Sequence, residues 1–264
     1  MARSLSPAPP SLAALTEGAR WTRKEEGESG GAVWRLSWAD RADAYLKYGA
    51  DRVADAIAHE AARLRWLAER APVPAVRLFA CTPGEAWLLT DAVPGLTADA
   101  LLTRDIATLP AVVRGCAALM RRMHALPVDD CPFDAGHRVR LADARRNVAA
   151  GLVDTDDFDD DHRGWTAAAM LAKAAALAPT APERVVTHGD FSLGNILFDR
   201  SGAPTGLVDV GLAGAADPYQ DIAILWNDLG ALGAAAQAAL LSELEIEKPD
   251  EPRLQFHRCL NELF

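Results

Sequence analysis

VVTHGDFSLGNILFDRSGAPTGLVD, residues Val185 to Asp209, is the stretch from which the rest of this chain is read. Apolar Val185 and Val186 lead into polar His188, Gly189 and Asp190, and Asn195 is followed by a short apolar run from Ile196 to Phe198. The pattern predicts strand, loop, strand. Ser201-Gly202-Ala203-Pro204 is a turn signal, and Gly206-Leu207-Val208 reads as a second short strand returning to deliver Asp209. The two strands are expected to pair as a hairpin behind the loop, with Asp190, Asn195 and Asp209 at the rim of one small sheet.

Phosphoryl transfer is the chemistry that wants such a set. One carboxylate must orient a substrate hydroxyl and accept its proton, while an amide oxygen and a second carboxylate hold the magnesium that bridges nucleotide phosphates. Magnesium prefers hard oxygen ligands and keeps several waters, so two protein ligands suffice. Alone, an HGD turn or a hairpin aspartate is unremarkable. The order H-G-D-x-x-x-x-N and then strand-Asp-x-Gly carries the reading.

The 264 residues, half of them apolar, supply a sizeable core in one or two lobes. No apolar run approaches membrane-spanning length and the first twenty residues lack a leader pattern, so the expectation is a soluble, cytoplasmic protein. Cys81, Cys116, Cys131 and Cys259 are scattered, with no C-x-x-C pair, which speaks against structural zinc and a disulfide framework. Against 27 basic residues stand 37 acidic ones, a net charge of −10, and six of the eight residues from Asp154 to Asp161 are Asp. Such a balance repels nucleic acid and favours cationic ligands. A solvated acidic loop is the plainer account of that run.

Residues 1–20 are rich in Pro, Ala and Ser and read as a loosely held lead-in. From Trp21 to Leu46 short alternating segments predict two strands joined by a glycine-bearing turn, Gly27 to Gly31, then a third strand ending at Lys47. Glycines there would let backbone N–H groups approach a phosphate, although an ordinary hairpin turn looks the same. Ala54 to Arg70 is a helix by propensity and period, with Ile57, Ala61, Leu64, Leu67 and Ala68 as its inner stripe. Glu60 falls on that stripe, a costly place for a carboxylate unless a cation meets it, and Lys47 is a candidate. Pro72 and Pro74 stop the helix; residues 76–80 and Trp87 to Val93 read as two more strands. The result is a five-stranded antiparallel sheet with one helix.

After Val93-Pro94-Gly95 long Ala- and Leu-rich helices take over, at Leu109 to Leu126, Val139 to Leu152 and Trp165 to Ala178. Val112, Cys116, Leu119, Met120 and Met123 make an apolar face read as core. A lobe boundary is expected near Asp91 to Gly95, with a cleft there for a nucleotide base. Asp217 is placed to cap the helix that runs on from Tyr219, and Asp221 is a candidate brace for the Asp190 loop. The last element, Pro252 to Phe264, is amphipathic.

With Lys47, Glu60, HGDFSLGN and LVDVG in order, the chain resembles the aminoglycoside phosphotransferases, most closely the 3′-phosphotransferases that inactivate kanamycin- and neomycin-type antibiotics. The likeness runs through residues 60–69, WLLTDAVPG at 87–95, GLVDTDDFDDDHRG at 151–164, ADPYQDIAI at 216–224 and the closing FHRCLNELF. It implies an α+β, bilobal protein-kinase-like fold that uses ATP and magnesium. A lead-in at 1–20 would precede a nucleotide-binding N-lobe at 21–92 and a catalytic, aminoglycoside-binding C-lobe at 93–264. Carried over residue by residue, Lys47 would hold nucleotide phosphates and pair with Glu60, Tyr45 would stack on adenine, Asp91 and Ala92 would hydrogen-bond the base, and Ser29 would sit in the phosphate loop. Asp190 would be the catalytic base, and Asn195 and Asp209 the magnesium ligands. Asp157, Asp160, Glu262 and the terminal carboxylate at Phe264 would grip the sugar amines.

Two departures fall on the substrate side. Leu212 stands where the family has an arginine, and Asn261 where it has an aspartate. The first reading is a 3′-phosphotransferase acting on aminoglycosides as a monomer or weak dimer, without nucleic-acid or membrane partners. A related small-molecule kinase with another alcohol acceptor is the alternative. A nucleotide-binding protein without catalysis is disfavoured by the complete set of Lys, Glu, Asp, Asn and Asp.

Overall fold

Strand-forming residues from Arg20 onward build a five-stranded antiparallel sheet whose strands lie in the order Arg20–Lys24, Ala32–Ser37, Ala44–Ala50, Glu85–Asp91 and Val76–Thr82. In the computed structural model, residues 9–24 and 30–264 are described, and the chain divides into two units, Met1–Val93 and Pro94–Phe264. Ser29 lies outside the described residues. The first unit runs α1 (Pro10–Thr16), β1 (Arg20–Lys24), β2 (Ala32–Ser37), β3 (Ala44–Ala50), α2 (Arg52–Leu67), β4 (Val76–Thr82) and β5 (Glu85–Asp91). Leu36, Ala44, Leu46, Trp87 and Leu89 cluster on one face of the sheet with Leu12 of α1. The lead-in is therefore anchored from Pro10: Leu12 is 1% exposed, and the apolar residues of this helix close the sheet's open face.

The other face meets α2, whose buried stripe is Ala54, Ile57, Glu60, Ala61, Leu64 and Leu67. Ala68, expected on that stripe, is exposed, because the helix ends at Leu67. Lys47 does not end β3 but sits in its middle. The strand continues because β5 pairs Gly49 with Ala86 and Ala50 with Glu85, a ladder that outweighs the weak strand preference of glycine.

The second unit comprises β6 (Leu96–Thr97), α3 (Ala98–Arg104), α4 (Leu109–His124), α5 (His137–Ala150), α6 (Ala167–Leu177), β7 (Val185–Thr187), β8 (Ile196–Phe198), β9 (Pro204–Leu207), β10 (Gly214–Ala216), α7 (Tyr219–Gly230), α8 (Ala234–Glu243) and α9 (Glu251–Asn261). The expected hairpin is β8 with β9, and β6 completes a three-stranded sheet. β7 is not part of it. It pairs antiparallel with β10, so the loop carrying Asp190 bridges two small sheets instead of lying on the rim of one. The cause is β6, which takes the free edge of β8 and leaves β7 to find its partner further along the chain.

Val112, Cys116, Leu119, Met120 and Met123 of α4 are all buried, and a second cluster packs Leu141, Met170, Phe256 and Leu260 from α5, α6 and α9. Asp217 joins α7 to α9. Its Oδ1 accepts the Tyr219 N–H at 2.8 Å, and Arg253 Nε donates to its Oδ2 at 3.0 Å, with His257 Nε2 3.6 Å away. Burial pushes this carboxyl up, but His257 and Arg253 overcome it and bring it down to about 2. Its stabilisation is thus present above the ordinary Asp range and is lost as pH falls toward 2. Asp217→Ala is expected to lower the unfolding free energy at pH 7 by about 3 kcal/mol in urea titrations, with the gap from the parent narrowing below pH 3.

Candidate active site

Asp221, the third residue of α7 and fully buried, accepts two consecutive backbone amides: His188 N–H at 2.9 Å on Oδ2 and Gly189 N–H at 2.9 Å on Oδ1. His124 Nε2 lies 3.0 Å from the same Oδ2. Burial raises the Asp221 carboxyl, yet His124, His188 and these amides leave it below its ordinary value, so it is held ionised. Gly189 has φ +90°, and a Cβ there would run into the Leu212 carbonyl, so only glycine fits. His188 is buried with Nε2 2.9 Å from the Val208 carbonyl, which cannot donate, so Nε2 carries the hydrogen. Nδ1 then accepts the Asp190 N–H at 3.3 Å.

These bonds bring together the three residues read from the sequence. Asn195 Nδ2 donates to Asp190 Oδ2 at 2.8 Å and to the Asp190 carbonyl at 3.0 Å. The Asn195 carbonyl in turn accepts the Val208 N–H at 3.0 Å, which sets Asp209, the next residue, at the close of the same hairpin. Asp209 is exposed in a left-handed conformation, φ 57°. With its amide nitrogen spent on Asp190, Asn195 has Oδ1 to offer. An amide oxygen beside a carboxylate is a hard-oxygen set that fits magnesium.

In the first unit, Lys47 Nζ lies 2.8 and 2.7 Å from the two Glu60 oxygens. The pair answers the cost of placing Glu60 on the buried stripe and fixes the ammonium. Tyr45, two positions earlier in β3, shares that strand face, and Lys24 lies 6.0 Å from its ring centroid. The Asp91 N–H donates to Ala75 O at 2.9 Å and the Ala92 N–H to Asp43 O at 3.0 Å, while the Asp91 carboxylate binds Arg77. Both amide hydrogens at the expected base-binding positions are spent inside the unit.

The acidic residues of the second unit divide sharply. Glu262 accepts the Asp159 N–H on both oxygens, at 3.1 and 3.2 Å, so the aspartate-rich loop is tied to the end of α9. Burial raises the Glu262 carboxyl above its ordinary range, and the charge of Asp159 adds to this against the opposing pull of His162. Asp157 is exposed and takes no part in that tie; the side chain of Asp160 lies outside what is described. Phe264 lays its ring 4.0 Å from the guanidinium of Arg140. Arg140 is buried with Nε and Nη1 unpartnered, and burial lowers it to about 10 despite the nearby charges of Asp190 and Asp221, so it stays cationic at neutral pH.

Residues 21–257 match the phosphotransferase enzyme family. This chain belongs to that family. A relative from Escherichia coli, an aminoglycoside 3′-phosphotransferase, is 45% identical over 257 residues, covering 97% of this chain and 94% of the relative. The crystal structure of an aminoglycoside-3′-phosphotransferase of type VIII superposes with a TM-score of 0.87 at 36% identity, covering 96% of this chain and 97% of that one. A phosphotransferase of Streptomyces rimosus, solved with ADP and streptomycin, gives 0.84 at 29% identity over 96% and 95% of the two chains. The α+β fold of this phosphotransferase is the kinase-like one the sequence implies.

Sequence reasoning missed Asp228, Asp159, His162 and Arg140. Asp228, in α7, accepts the Leu193 N–H at 2.8 Å. Burial pushes its carboxyl up to about 6 against that hydrogen bond, and the charges of Asp190, Asp99 and Asp159 add to the rise. Only a second carboxylate late in the same helix, after the apolar run Ile222 to Trp226, hinted at it. A raised acid contributes stability below its unfolded pKa and loses it as pH climbs through about 6. Asp228→Asn keeps an oxygen for Leu193, so it is expected to raise unfolding stability at pH 8 by on the order of 2 kcal/mol, a gain that shrinks by pH 5 in thermal melts.

Proposed function

We propose that this phosphotransferase transfers the γ-phosphoryl group of ATP to the 3′-hydroxyl of aminoglycosides such as kanamycin or neomycin and so confers resistance to them. The observation that carries the reading is the Asp190–Asn195 bond, locked by His188 and Val208 beside Asp209, in a chain 45% identical to an aminoglycoside 3′-phosphotransferase. Asp190, with Oδ2 held by Asn195, presents Oδ1 to the acceptor hydroxyl and takes its proton as the oxygen attacks the γ-phosphorus and ADP leaves. Asn195 Oδ1 and Asp209 are the residues for magnesium, which when bound draws charge from the phosphate oxygens. Lys47, fixed by Glu60, holds nucleotide phosphates, with Ser29 in the phosphate loop, and Tyr45 supports the base beside Asp91 and Ala92.

An acceptor carrying several ammonium groups suits the carboxylates of the second unit. Asp157, Asp160 and Glu262, joined by Asp159 and Asp228, form the proposed grip, with Phe264 at its edge. We place the enzyme in the cytoplasm, where ATP is supplied, as a monomer or weak dimer. No helix among the described residues is long and apolar enough to cross a membrane. Leu212, 40% exposed, and exposed Asn261 lie where the family carries charge, which favours as second reading the same chemistry on another alcohol.

Mass spectrometry after incubation with ATP, magnesium and kanamycin, neomycin or a 3′-deoxy aminoglycoside separates these readings. One added phosphoryl group on the first two and none on the third is expected; phosphorylation of the 3′-deoxy compound moves the reaction to another hydroxyl. Asp190→Ala should reduce kcat by roughly a hundredfold to ten-thousandfold, and turnover near that of the parent removes Asp190 from the base role. Because the Glu262 carboxyl is raised, its charge is lost at a higher pH than an ordinary glutamate's. The KM for kanamycin should therefore begin to rise on acidification at a higher pH than an ordinary glutamate would give, while the KM for ATP holds, and Glu262→Gln should flatten that profile.

A further inference from the structure

The His162–Glu262 couple sits in a closely bonded part of the second unit. His162, 6% exposed, closes a single 3₁₀ turn at Asp160–His162, and its Nδ1 lies 3.0 Å from Glu262 Oε1. Its ring is fixed by an edge contact with Trp165 at 5.2 Å between centroids and by Cys259 Sγ, 4.0 Å from Nε2. An ionised carboxylate only accepts, so Nδ1 carries the hydrogen. Glu262 Oε1 then receives His162 and the Asp159 N–H, while Oε2 receives the Asp159 N–H alone. Of the roughly four lone-pair positions of a carboxylate, the one left over is on Oε2.

Neighbouring acids are engaged differently. Asp159 Oδ1 accepts Asn227 Nδ2 at 3.2 Å, and its Oδ2 accepts Arg258 Nη2 at 3.3 Å; the same Nη2 reaches Asp161 Oδ2 at 3.2 Å. Arg258 thereby offsets the charge of Asp159 and Asp161, and Glu262 is the member of this group whose partners are an imidazole and an amide. Asp159, His162 and Glu262 are also close enough to surround a metal ion. Asp159 already faces a cation, Arg258, across Oδ2, so the set is built as a hydrogen-bond network in which Glu262 Oε2 is an open acceptor position not paired with a guanidinium.

We propose that His162 is a positioning residue for the amine-bearing acceptor: by donating to Glu262 Oε1 it aims Oε2 at one substrate ammonium and so sets affinity for that class of acceptor. This rests on the aminoglycoside reading above. His162 acts through its bond to Glu262, so its effect belongs in acceptor binding and not in the chemical step.

The test compares His162→Leu, which removes the donor, with His162→Asn, whose Nδ2 replaces Nδ1, in the parent and in Glu262→Gln. His162→Leu is expected to raise the kanamycin KM about tenfold, with kcat and the ATP KM within about twofold, and His162→Asn to recover most of the loss. In the Glu262→Gln background the same substitution should add little, because the acceptor it aims is gone. An unchanged kanamycin KM in His162→Leu, or an equal loss in both backgrounds accompanied by lowered kcat, overturns the proposal. If His162→Leu does not fold, a kanamycin KM and calorimetric affinity for His162→Asn near those of the parent support it, and values as weak as those of Glu262→Gln overturn it. A parent enzyme that phosphorylates no aminoglycoside fails the functional reading itself, whereas normal parent turnover with an indifferent His162 fails only this inference.

Discussion

One buried carboxylate holds the candidate active site in shape. Asp221 has no exposure to water and must replace its hydration with protein donors, and the donors it takes are the two amides that begin the Asp190 loop, with His124 behind them. Removing the charge would strand those amides, and removing the amides would strand the charge. The backbone at His188 and Gly189 is therefore fixed before any substrate arrives. Asp190, Asn195 and, through Val208, Asp209 inherit that fixity by a short series of bonds. Preorganisation of this kind removes the cost of rearranging a site when it is used.

The same unit also tolerates an unfavourable concentration of negative charge. Burial pushes the Asp228 carboxyl up to about 6, and the charges of Asp190, Asp99 and Asp159 add to the rise. Glu262 is raised for similar reasons. Arg258 and Arg140 relieve part of this, the first by direct bonds to Asp159 and Asp161, the second from a buried position whose Nε and Nη1 have no partner. Acids kept in mutual repulsion, only partly neutralised, make a surface whose energy falls when a polycation settles on it.

Much of this was legible in the linear text. Lys47 and Glu60 could be matched because a carboxylate on the apolar stripe of a helix demands a cation, and the structure gives Glu60 that cation. The hairpin of β8 and β9 followed from two apolar runs around a Gly-Pro turn. The course of β7 did not, because strand pairing depends on which edges are open, and β6 had already filled the edge beside β8. β3 outran its expected end for a similar reason, its ladder with β5 carrying Gly49 and Ala50 along.

What the sequence determined by itself is a set of residue types: two aspartates and an asparagine at fixed spacing, a lysine with a glutamate thirteen positions on, and an acidic balance. These are local patterns, set by residue type and by the few bonds a short segment can make. Which acids meet was decided only by the tertiary structure. Asp159, and not exposed Asp157, is bonded to Glu262 across 103 positions of chain, and Asp228 reaches the Asp190 loop only because α7 folds back on Leu193. In a run with six Asp among eight residues, the letters are the same and the hydrogen-bond partners are not; those partners exist only once distant segments have packed.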